Sequence, residues 1–349
     1  MSQEVQRNRS PLLPDRRATP DFFVCDILDA APKGDMASME HPIFSLSTKP
    51  DLRTRRYEHG TVFIEIAPSA QGLATVHDRD ILIYCISQLM ATSNAGKPIS
   101  PVLKFKAYDL LRATNRMTSG EGYSGLKAAL ERLRGTQITT NIITGGEETF
   151  EVFGLIERAK VVRETREGRM QEVEIKLSDW VFNAIEHQEV LTLHRDYFRL
   201  RKPLERRMYE LARKHCGKKE EWKISLERLQ HKCGSSSSLK EFRRLVGTIV
   251  EEDVRHHHIP DYSVELEDGD MVKFRNRGTM HASDPPQMKI SLRSLEPETY
   301  NAAKVAAPGW DVYYLEREWR AWITEQPRDP EAAFIGFCRK WVERRGIPR

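Results

Sequence analysis

The stretch WKISLERLQHKCGSSSSLKEFRRLVGTIV, residues 222–250, decides the fold that this chain predicts. A polar run, Gly234–Ser238, separates two segments with the spacing of amphipathic helices, and an Asp268-Gly269 turn follows between two alternating segments. The predicted order is helix, strand, helix, helix, strand, strand, over residues 204–216, 222–224, 226–231, 239–250, 262–266 and 271–277. This is the order of a winged helix-turn-helix module, in which the helix after the turn fits the major groove of DNA.

A similar order occurs earlier in the chain. Landmarks in the two halves match at nearly constant offsets: Lys104 with Lys223 at 119 residues, Leu126 with Leu239 at 113, and Ile175 with Ile290 at 115. This spacing predicts a duplicated module of about 115 residues, because solenoid repeats are only about 20–50 residues long. The predicted fold class is α+β, with two tandem winged helix-turn-helix domains and a C-terminal helical extension.

The predicted segments are a disordered N-terminal arm at 1–38, a first winged-helix domain at 39–198, a second at 199–295, and a C-terminal helical region at 296–349. In the first domain, Asp78 is expected to cap an apolar helix that serves the core or a dimer contact. A hairpin over 137–153, entered by Thr139, Thr140 and Asn141, is expected to belong to the repeated unit. The C-terminal region holds four of the six tryptophans, which favours a helical cap or a docking surface for another protein.

The composition excludes several classes of protein. Hydrophobic residues make up 39% and charged residues 30% of the 349, and the mean hydropathy is −0.57, which is typical of a water-soluble globular protein. No window holds about 18 consecutive apolar residues, and the N-terminus lacks the apolar run of a signal peptide. The five cysteines are odd in number and scattered, as in a reducing cytosol. We therefore expect a cytoplasmic location and no membrane partner.

Positive charge is concentrated in one part of the chain. The formal net charge is +4, but residues 199–244 hold fifteen Lys and Arg against six Asp and Glu, a local balance of +9. The rest of the chain therefore sums to −5. A concentration of this kind favours a surface that binds a polyanion, although a solvated helix face would give the same count.

The predicted DNA contacts lie on the helix after the turn and on the hairpin, or wing. Hydroxyl and N–H groups at a helix N-terminus suit phosphate oxygens, arginines suit guanine edges, and strand alternation places three wing cations on one side. The residues in the second module are Ser236, Ser237, Ser238, Lys240, Arg243, Arg244, Lys273, Arg275 and Arg277. The first module offers a less basic set, expected to make weaker DNA contacts or to share in dimerisation: Ser119, Tyr123, Ser124, Lys127, Arg132 and Arg134.

Three motifs point to other chemistry, but their context argues against it. Residues 120–125 match the glycine pattern of a dinucleotide site, yet no strand precedes them. His215-Cys216 and His231-x-Cys233 lack the spacing of a zinc site. His256-His257-His258 is similar to the paired histidines of metal-dependent DNA-nicking enzymes, except that the middle residue is not apolar. We expect no cofactor, no metal and no enzymatic activity, and a nicking enzyme that uses His256 and His258 is kept as an alternative.

Four segments carry a resemblance to a known family: LERRMYELARK at 204–214, WKISL at 222–226, GSSSSLKEFR at 234–243, and the tail from Gly309-Trp310-Asp311 to Phe337-Cys338-Arg339-Lys340. With the duplication, they make the chain similar to the replication initiator protein A family of alphaproteobacterial plasmids, over roughly residues 40 to 345. The resemblance implies tandem winged helices, binding to direct repeats of double-stranded origin DNA, and origin opening. It also implies recruitment of host initiator and helicase proteins and monomer–dimer control through a homodimer. The residues alone leave a winged-helix transcriptional repressor open.

Overall fold

A computed structural model describes residues 10–16, 23–24, 42–59, 62–144, 147–163, 170–186, 190, 192–279, 295, 297–310, 312–313, 315–316, 319, 327 and 329–346. The chain divides into two compact units, Met1–Met280 and His281–Arg349. The first predicted domain and residues 199–280 of the second lie in the first unit, and the second unit begins 15 residues before the predicted start of the C-terminal region at 296.

The described helices are named α1 to α9 in chain order: Arg79–Asn94, Ala107–Ala113, Gly120–Gly135, Asp179–Glu186, Pro203–His215, Leu226–Cys233, Leu239–His256, Pro297–Ala306 and Pro330–Arg345. The described strands are β1 to β12: Phe23–Val24, Arg55–His59, Val62–Ala67, Val102–Lys106, Gln137–Thr144, Glu147–Gly154, Ile156–Arg163, Met170–Leu177, Thr192–Leu193, Glu221–Ser225, Tyr262–Glu267 and Met271–Asn276. The fold is a mixed α and β structure, as the sequence predicts.

The second module has the predicted order α5, β10, α6, α7, β11, β12, and its strands form an antiparallel sheet in the order β10-β12-β11. Local chemistry sets the helix ends. The Ser225 hydroxyl caps α6 by accepting from the N–H of Arg228 at 3.4 Å, and Gly234 ends that helix with a φ of +66°. The Ser238 hydroxyl then caps α7 by accepting from the N–H of Glu241 at 3.3 Å. Two helices joined by a short polar turn therefore pack beside a hairpin.

The first module repeats this order with α1, β4, α2, α3, β7 and β8, and its sheet has the matching order β4-β8-β7. Lys104 lies opposite Glu174 in this sheet, where Lys223 lies opposite Lys273 in the other. The offset between the modules therefore falls from 119 residues at the first strand to 99 at the last. The nearly constant offset expected from the sequence is not kept, and one of its landmarks, Ile290, lies outside the described residues.

An extra hairpin in the first module accounts for the changed offset. Strands β5 and β6 do not join the sheet of β7 and β8, but pair with β3 and β2 in a four-stranded sheet of order β2-β3-β5-β6. Ile64 and Ile66 of β3 lie opposite Thr140 and Ile138 of β5, and the three isoleucines are buried. The expectation that the 137–153 hairpin belongs to the repeated unit is thus corrected, because β7 and β8 take the place equivalent to β11 and β12.

One continuous hydrophobic core runs through both modules, and α5 lies within it, with every residue from 204 to 213 buried. Ion pairs join this helix to α1 of the first module. Arg206 Nη1 lies 2.7 Å from Asp80 Oδ1, and Arg79 Nη1 lies 2.5 Å from Glu210 Oε2. The division expected between residues 198 and 199 is therefore not a division between two cores, since the modules share one interior.

Part of the predicted N-terminal arm is ordered against the body. The N–H of Leu13 donates to the carbonyl of Arg199 at 2.8 Å, and β1 pairs with β9. The N–H of Arg16 donates to Asn115 Oδ1 at 3.0 Å, while Asn115 Nδ2 donates to the carbonyl of Pro14 at 3.1 Å. The prediction of disorder is corrected for residues 10–16 and 23–24, whose backbone groups find these partners. The other residues of 1–38 lie outside the described part of the chain.

The second unit has a small core of its own. Helices α8 and α9 pack around Trp319, Phe334 and Cys338, and the Trp310 ring meets the Trp341 ring edge-on with centroids 5.7 Å apart. The fourth tryptophan of this region, Trp322, lies outside the described residues. In the described part of the chain, every helix is too short or too polar to cross a bilayer.

Candidate nucleic-acid interface

The turn before α7 is held by its own serines. Ser238 caps the helix, the hydroxyls of Ser235 and Ser237 lie 2.8 Å apart, and Gln230 Nε2 donates to the carbonyl of Ser237 at 2.7 Å. Ser236 and Ser238 are exposed and Ser237 is half-buried. The first turn of α7 therefore stands at the surface with its positive dipole end and hydroxyl groups outward, as a phosphate site requires.

Helix α7 has one buried face and one cationic face. Phe242, Val246 and Ile249 point into the core, and Lys240, Arg243 and Arg244 are exposed in the first half of the helix. Two of these cations carry local ion pairs: Arg243 contacts Asp270 at the tip of the wing, and Arg244 Nη2 lies 2.6 Å from Glu241 Oε1. Lys240 makes no ion pair with the described residues. The predicted helix cations thus lie together at the N-terminal half of α7.

The wing differs from the prediction. Lys273 is buried, and its Nζ lies 2.7 Å from both Glu265 and Glu267, whose hydrogen bonds raise the pKa of the lysine. Arg277 Nη2 lies 2.7 Å from the buried Asp253. Of the three predicted wing cations, Arg275 is the exposed one, and it makes no ion pair with the described residues. Lys273 therefore joins the two strands of the wing, and Arg277 joins the wing to α7. Acidic partners already neutralise both cations.

In the first module, most of the predicted residues lie along α3. Ser119 precedes the helix, Ser124 and Arg134 are exposed, and Tyr123 and Lys127 are half-buried. Arg132 differs, since its Nε and Nη2 both lie 2.7 Å from the carboxylate of Asp78. That carboxylate also accepts from the N–H of Thr75 at 2.8 Å and does not cap α1 with its side chain. Arg132 therefore ties α3 to the start of α1. The predicted cap is corrected, and the DNA contact predicted for Arg132 stays a prediction.

One of the glycines of the apparent dinucleotide motif has a packing role. A Cβ on Gly122 would lie 1.9 Å from the carbonyl oxygen of Met117, so a side chain there would collide with the preceding loop. The motif also begins α3 and follows a loop rather than a strand. These facts agree with the structural interpretation of the motif.

The basic window at 199–244 is only partly a surface feature. Arg206, Arg207 and Arg213 of α5 are buried. Arg207 Nη2 donates to the carbonyl of Lys232 at 3.0 Å, and Arg213 Nε donates to the carbonyl of Thr192 at 2.8 Å. The local balance of +9 therefore overstates the charge available to a polyanion, because three of its cations hold the interior together.

One group of side chains in the described residues has the composition of a metal site: Glu205, Glu252 and His258. Lys202 forms ion pairs with both carboxylates, since its ammonium contacts Glu252 and lies 3.3 Å from Glu205 Oε1. His258 Nε2 lies 3.2 Å from Glu205 Oε1, and its ring is buried while that of His256 is exposed. The Lys202 ammonium thus already pairs with two of the three groups.

One cation beside this surface was missed by sequence reasoning. Arg53, which precedes β2, places its Nη2 3.4 Å from the hydroxyl of Ser236 in the turn before α7. The two residues are 183 positions apart, and no local pattern connects them. Only a long-range contact could have revealed this neighbour.

Comparison with known proteins gives three findings. The family model of replication initiator protein A matches residues 33–264. A "Putative replication protein" of Wigglesworthia glossinidia brevipalpis is 39% identical over 263 residues, which are 74% of this chain and 94% of that protein. Two crystal structures of domains 2 and 3 of RctB are similar, with TM-scores of 0.49 and 0.45 at 12% and 14% identity. They cover 68% and 65% of this chain and 94% and 91% of their own.

Proposed function

Because the chain belongs to the replication initiator protein A family, we propose that it initiates plasmid replication by binding repeated sites in double-stranded origin DNA. Each of its two modules acts as a winged helix, with α3 and α7 as the helices that enter the major groove. The order of elements and the matching three-stranded sheets support this interpretation.

The observation that carries the proposal is the cationic start of α7. Lys240, Arg243 and Arg244 stand exposed on the first turns of a helix whose capped end and serine turn also face outward. Recognition helices contact base edges with their N-terminal residues, and guanidinium groups can bind guanine O6 and N7. Arg275 of the wing, which is also exposed, would add a contact to the DNA backbone.

The first module makes a weaker second contact. Ser119, Ser124, Lys127 and Arg134 lie at the start and along α3, where the same docking would bring them to DNA. This set has fewer cations than the α7 set, so we assign most of the affinity to the second module.

The chain acts without chemistry of its own in this proposal. Opening of the origin and loading of the helicase would depend on host initiator and helicase proteins, and a homodimer would regulate the amount of binding-competent monomer. Lys202 supports the non-enzymatic interpretation, because its ammonium neutralises the carboxylates beside His258. We assign the protein to the cytoplasm, in keeping with the free, buried thiols of Cys85, Cys216, Cys233 and Cys338.

Nuclease footprinting on the DNA that flanks the gene tests the proposal. We expect a ladder of protected direct repeats. A single protected palindrome near a promoter would favour a repressor, and a cleaved strand in the presence of a divalent metal would favour a nicking enzyme.

A matched pair of lysine variants then tests the surface. Lys240→Ala removes an exposed lysine from α7, and Lys304→Ala removes one from an exposed position on α8. Each lost phosphate contact lowers the slope of log affinity against log salt by about 0.9. Fluorescence anisotropy on a duplex with the protected repeat should show that decrease for Lys240→Ala and the wild-type slope for Lys304→Ala. Equal slopes for both variants and the wild type would contradict the assignment.

A further inference from the structure

Gly234, at the start of the turn between α6 and α7, is covered by a segment of the first half of the chain, whereas Ser236 and Ser238 of the same turn stay exposed. A Cβ on Gly234 would lie 2.4 Å from Pro42 Cγ and 3.1 Å from Arg55 Nη1. Gly234 also has a φ of +66°, which disfavours any side chain. Pro42 and Arg55 therefore pack directly on the turn of the second module, although they lie 192 and 179 positions before Gly234 in sequence.

Arg53 on this segment is exposed but fixed. Its side chain is 64% exposed, while the Asp51 carboxylate that holds it is 3% exposed. Arg53 Nε lies 2.9 Å from Asp51 Oδ1, and Nη2 lies 3.0 Å from Oδ2, which is a bidentate pair. Arg55 Nη2 also lies 2.8 Å from Oδ2 of this carboxylate. The Arg53 guanidinium is therefore already held in one orientation, so it would lose little conformational entropy when it binds a ligand.

One further contact of the Arg53 guanidinium reaches the turn. Nη2 lies 3.4 Å from the exposed hydroxyl of Ser236, two residues before the cap of α7. Nη1 makes no hydrogen bond to the described residues. A planar guanidinium with free donors beside a serine hydroxyl and a helix N-terminus matches the oxygens of a phosphate diester.

We propose that Arg53 and Ser236 form a phosphate-binding site, which extends the DNA surface of the second module onto the first half of the chain. This inference rests on the proposed function, and its ligand is a backbone phosphate of double-stranded DNA. Arg53 would fix the position of α7 on the duplex and would not read sequence, because phosphates are common to every site. Asp51 is a positioning residue, since it holds the guanidinium and does not itself touch the phosphate.

The test compares two arginines of one short segment in the full-length protein. Arg53→Ala removes the proposed contact, and Arg56→Ala removes an exposed arginine of β2 that pairs with Glu58 and Glu65. Affinity is measured by anisotropy between 50 and 200 mM salt, on a duplex with the protected repeat and on one of random sequence. Over this fourfold range, the ratio of Arg53→Ala to wild-type dissociation constants should shrink about 3.5-fold on both duplexes, from a slope change of about 0.9. Arg56→Ala should keep a constant ratio.

Phosphate ethylation interference locates the contact. The wild type should show one sensitive phosphate per repeat that Arg53→Ala no longer senses. Arg53→Gln is the control for misfolding of the segment, because it keeps a hydrogen-bond donor toward Asp51. The melting temperature of this variant shows whether the protein still folds. The inference is overturned if Arg53→Ala and Arg53→Gln both keep the wild-type salt slope and interference pattern while Lys240→Ala has a lower salt slope. That result would leave the proposed function intact. If the wild type binds neither duplex, the proposed function itself fails, and the site fails with it.

Discussion

Arg206 of α5 pairs with Asp80 of α1 at the junction of the two modules, and its removal should cost a large part of the stability of the first unit. Arg206 lies 2.7 Å from Asp80, and the two side chains are 3% and 2% exposed. Its other donors meet the carbonyls of Leu200 and Phe198, both at 3.0 Å. In Arg206→Met, the apolar volume is largely kept, but the buried carboxylate loses its nearest partner and the carbonyls lose theirs.

The magnitude follows from these contacts. Loss of one partner of a buried ion pair costs about 3–5 kcal/mol in the free energy of unfolding, because the remaining charge stays buried. Asp80 retains Arg116, whose Nη2 lies 3.4 Å away, so the lower half of that range is expected. The matched control is Arg255→Met, since Arg255 pairs with Glu251 at 3.6 Å with side chains 56% and 70% exposed. An exposed pair of this kind contributes only about 0–1 kcal/mol.

Urea unfolding, followed by circular dichroism, measures both variants. A double variant, Arg206→Met with Asp80→Asn, should recover part of the loss, because the orphaned charge is removed. The reasoning is refuted if Arg206→Met unfolds within about 1 kcal/mol of Arg255→Met, or if the two junction substitutions simply add.

Two further predictions concern pH and the wing. Burial, followed by the nearby Arg206 and Arg116, lowers the pKa of His77 from 6.5 to about 3, so below pH 6.5 the unfolded chain takes up a proton that the folded chain excludes. The contribution of His77 to the free energy of unfolding should therefore be full above about pH 6.5 and fall by up to about 1.4 kcal/mol per pH unit toward pH 3. In urea titrations, His77→Gln should flatten this pH profile, and an unchanged profile would contradict the assignment. In the wing, Arg275→Ala should lower the salt slope of DNA binding by about 0.9, whereas Lys273→Met should leave it unchanged because two glutamates already hold that lysine. Equal losses for both variants would mean that Lys273 reaches a phosphate.

The second module was largely predictable because its signals are local. The cationic face of α7 could be assigned once Phe242, Val246 and Ile249 defined the buried face. The Asp268-Gly269 turn likewise placed β11 and β12. Short-range patterns determine these elements, and their order was confirmed.

The four-stranded sheet and the shared core were not predictable in this way. The pairing of Ile64 with Thr140 joins strands 76 positions apart, and neither strand carries a signal for its partner. A buried helix such as α5 also misleads a charge count, because ion pairs let its arginines enter the interior. Local sequence records which residues are charged, but not which charges already have partners.

The candidate site residues show the same difference between local and long-range information. Lys240 and Arg275, which the sequence placed at the surface, are exposed there. Arg132 and Arg277 lie against carboxylates 54 and 24 positions away, and Lys273 lies between two glutamates of the neighbouring strand. Strand alternation could not show that the face with Lys273 also carries Glu265 and Glu267, or that Arg277 lies against Asp253 of α7.

The single interior that joins the two modules bears on how the protein would measure DNA. Tethered modules can follow variable spacings, because a flexible linker allows many separations. Here packed side chains and the Arg206–Asp80 pair fix the distance between α3 and α7, so two helices that dock as proposed would meet the DNA at one fixed separation. One inserted base pair moves a contact by about 3.4 Å along the duplex and turns it by about 35°, which packed side chains cannot follow. Under the proposed function, the spacing inside each DNA repeat should therefore be invariant, even where the bases between the contacts vary.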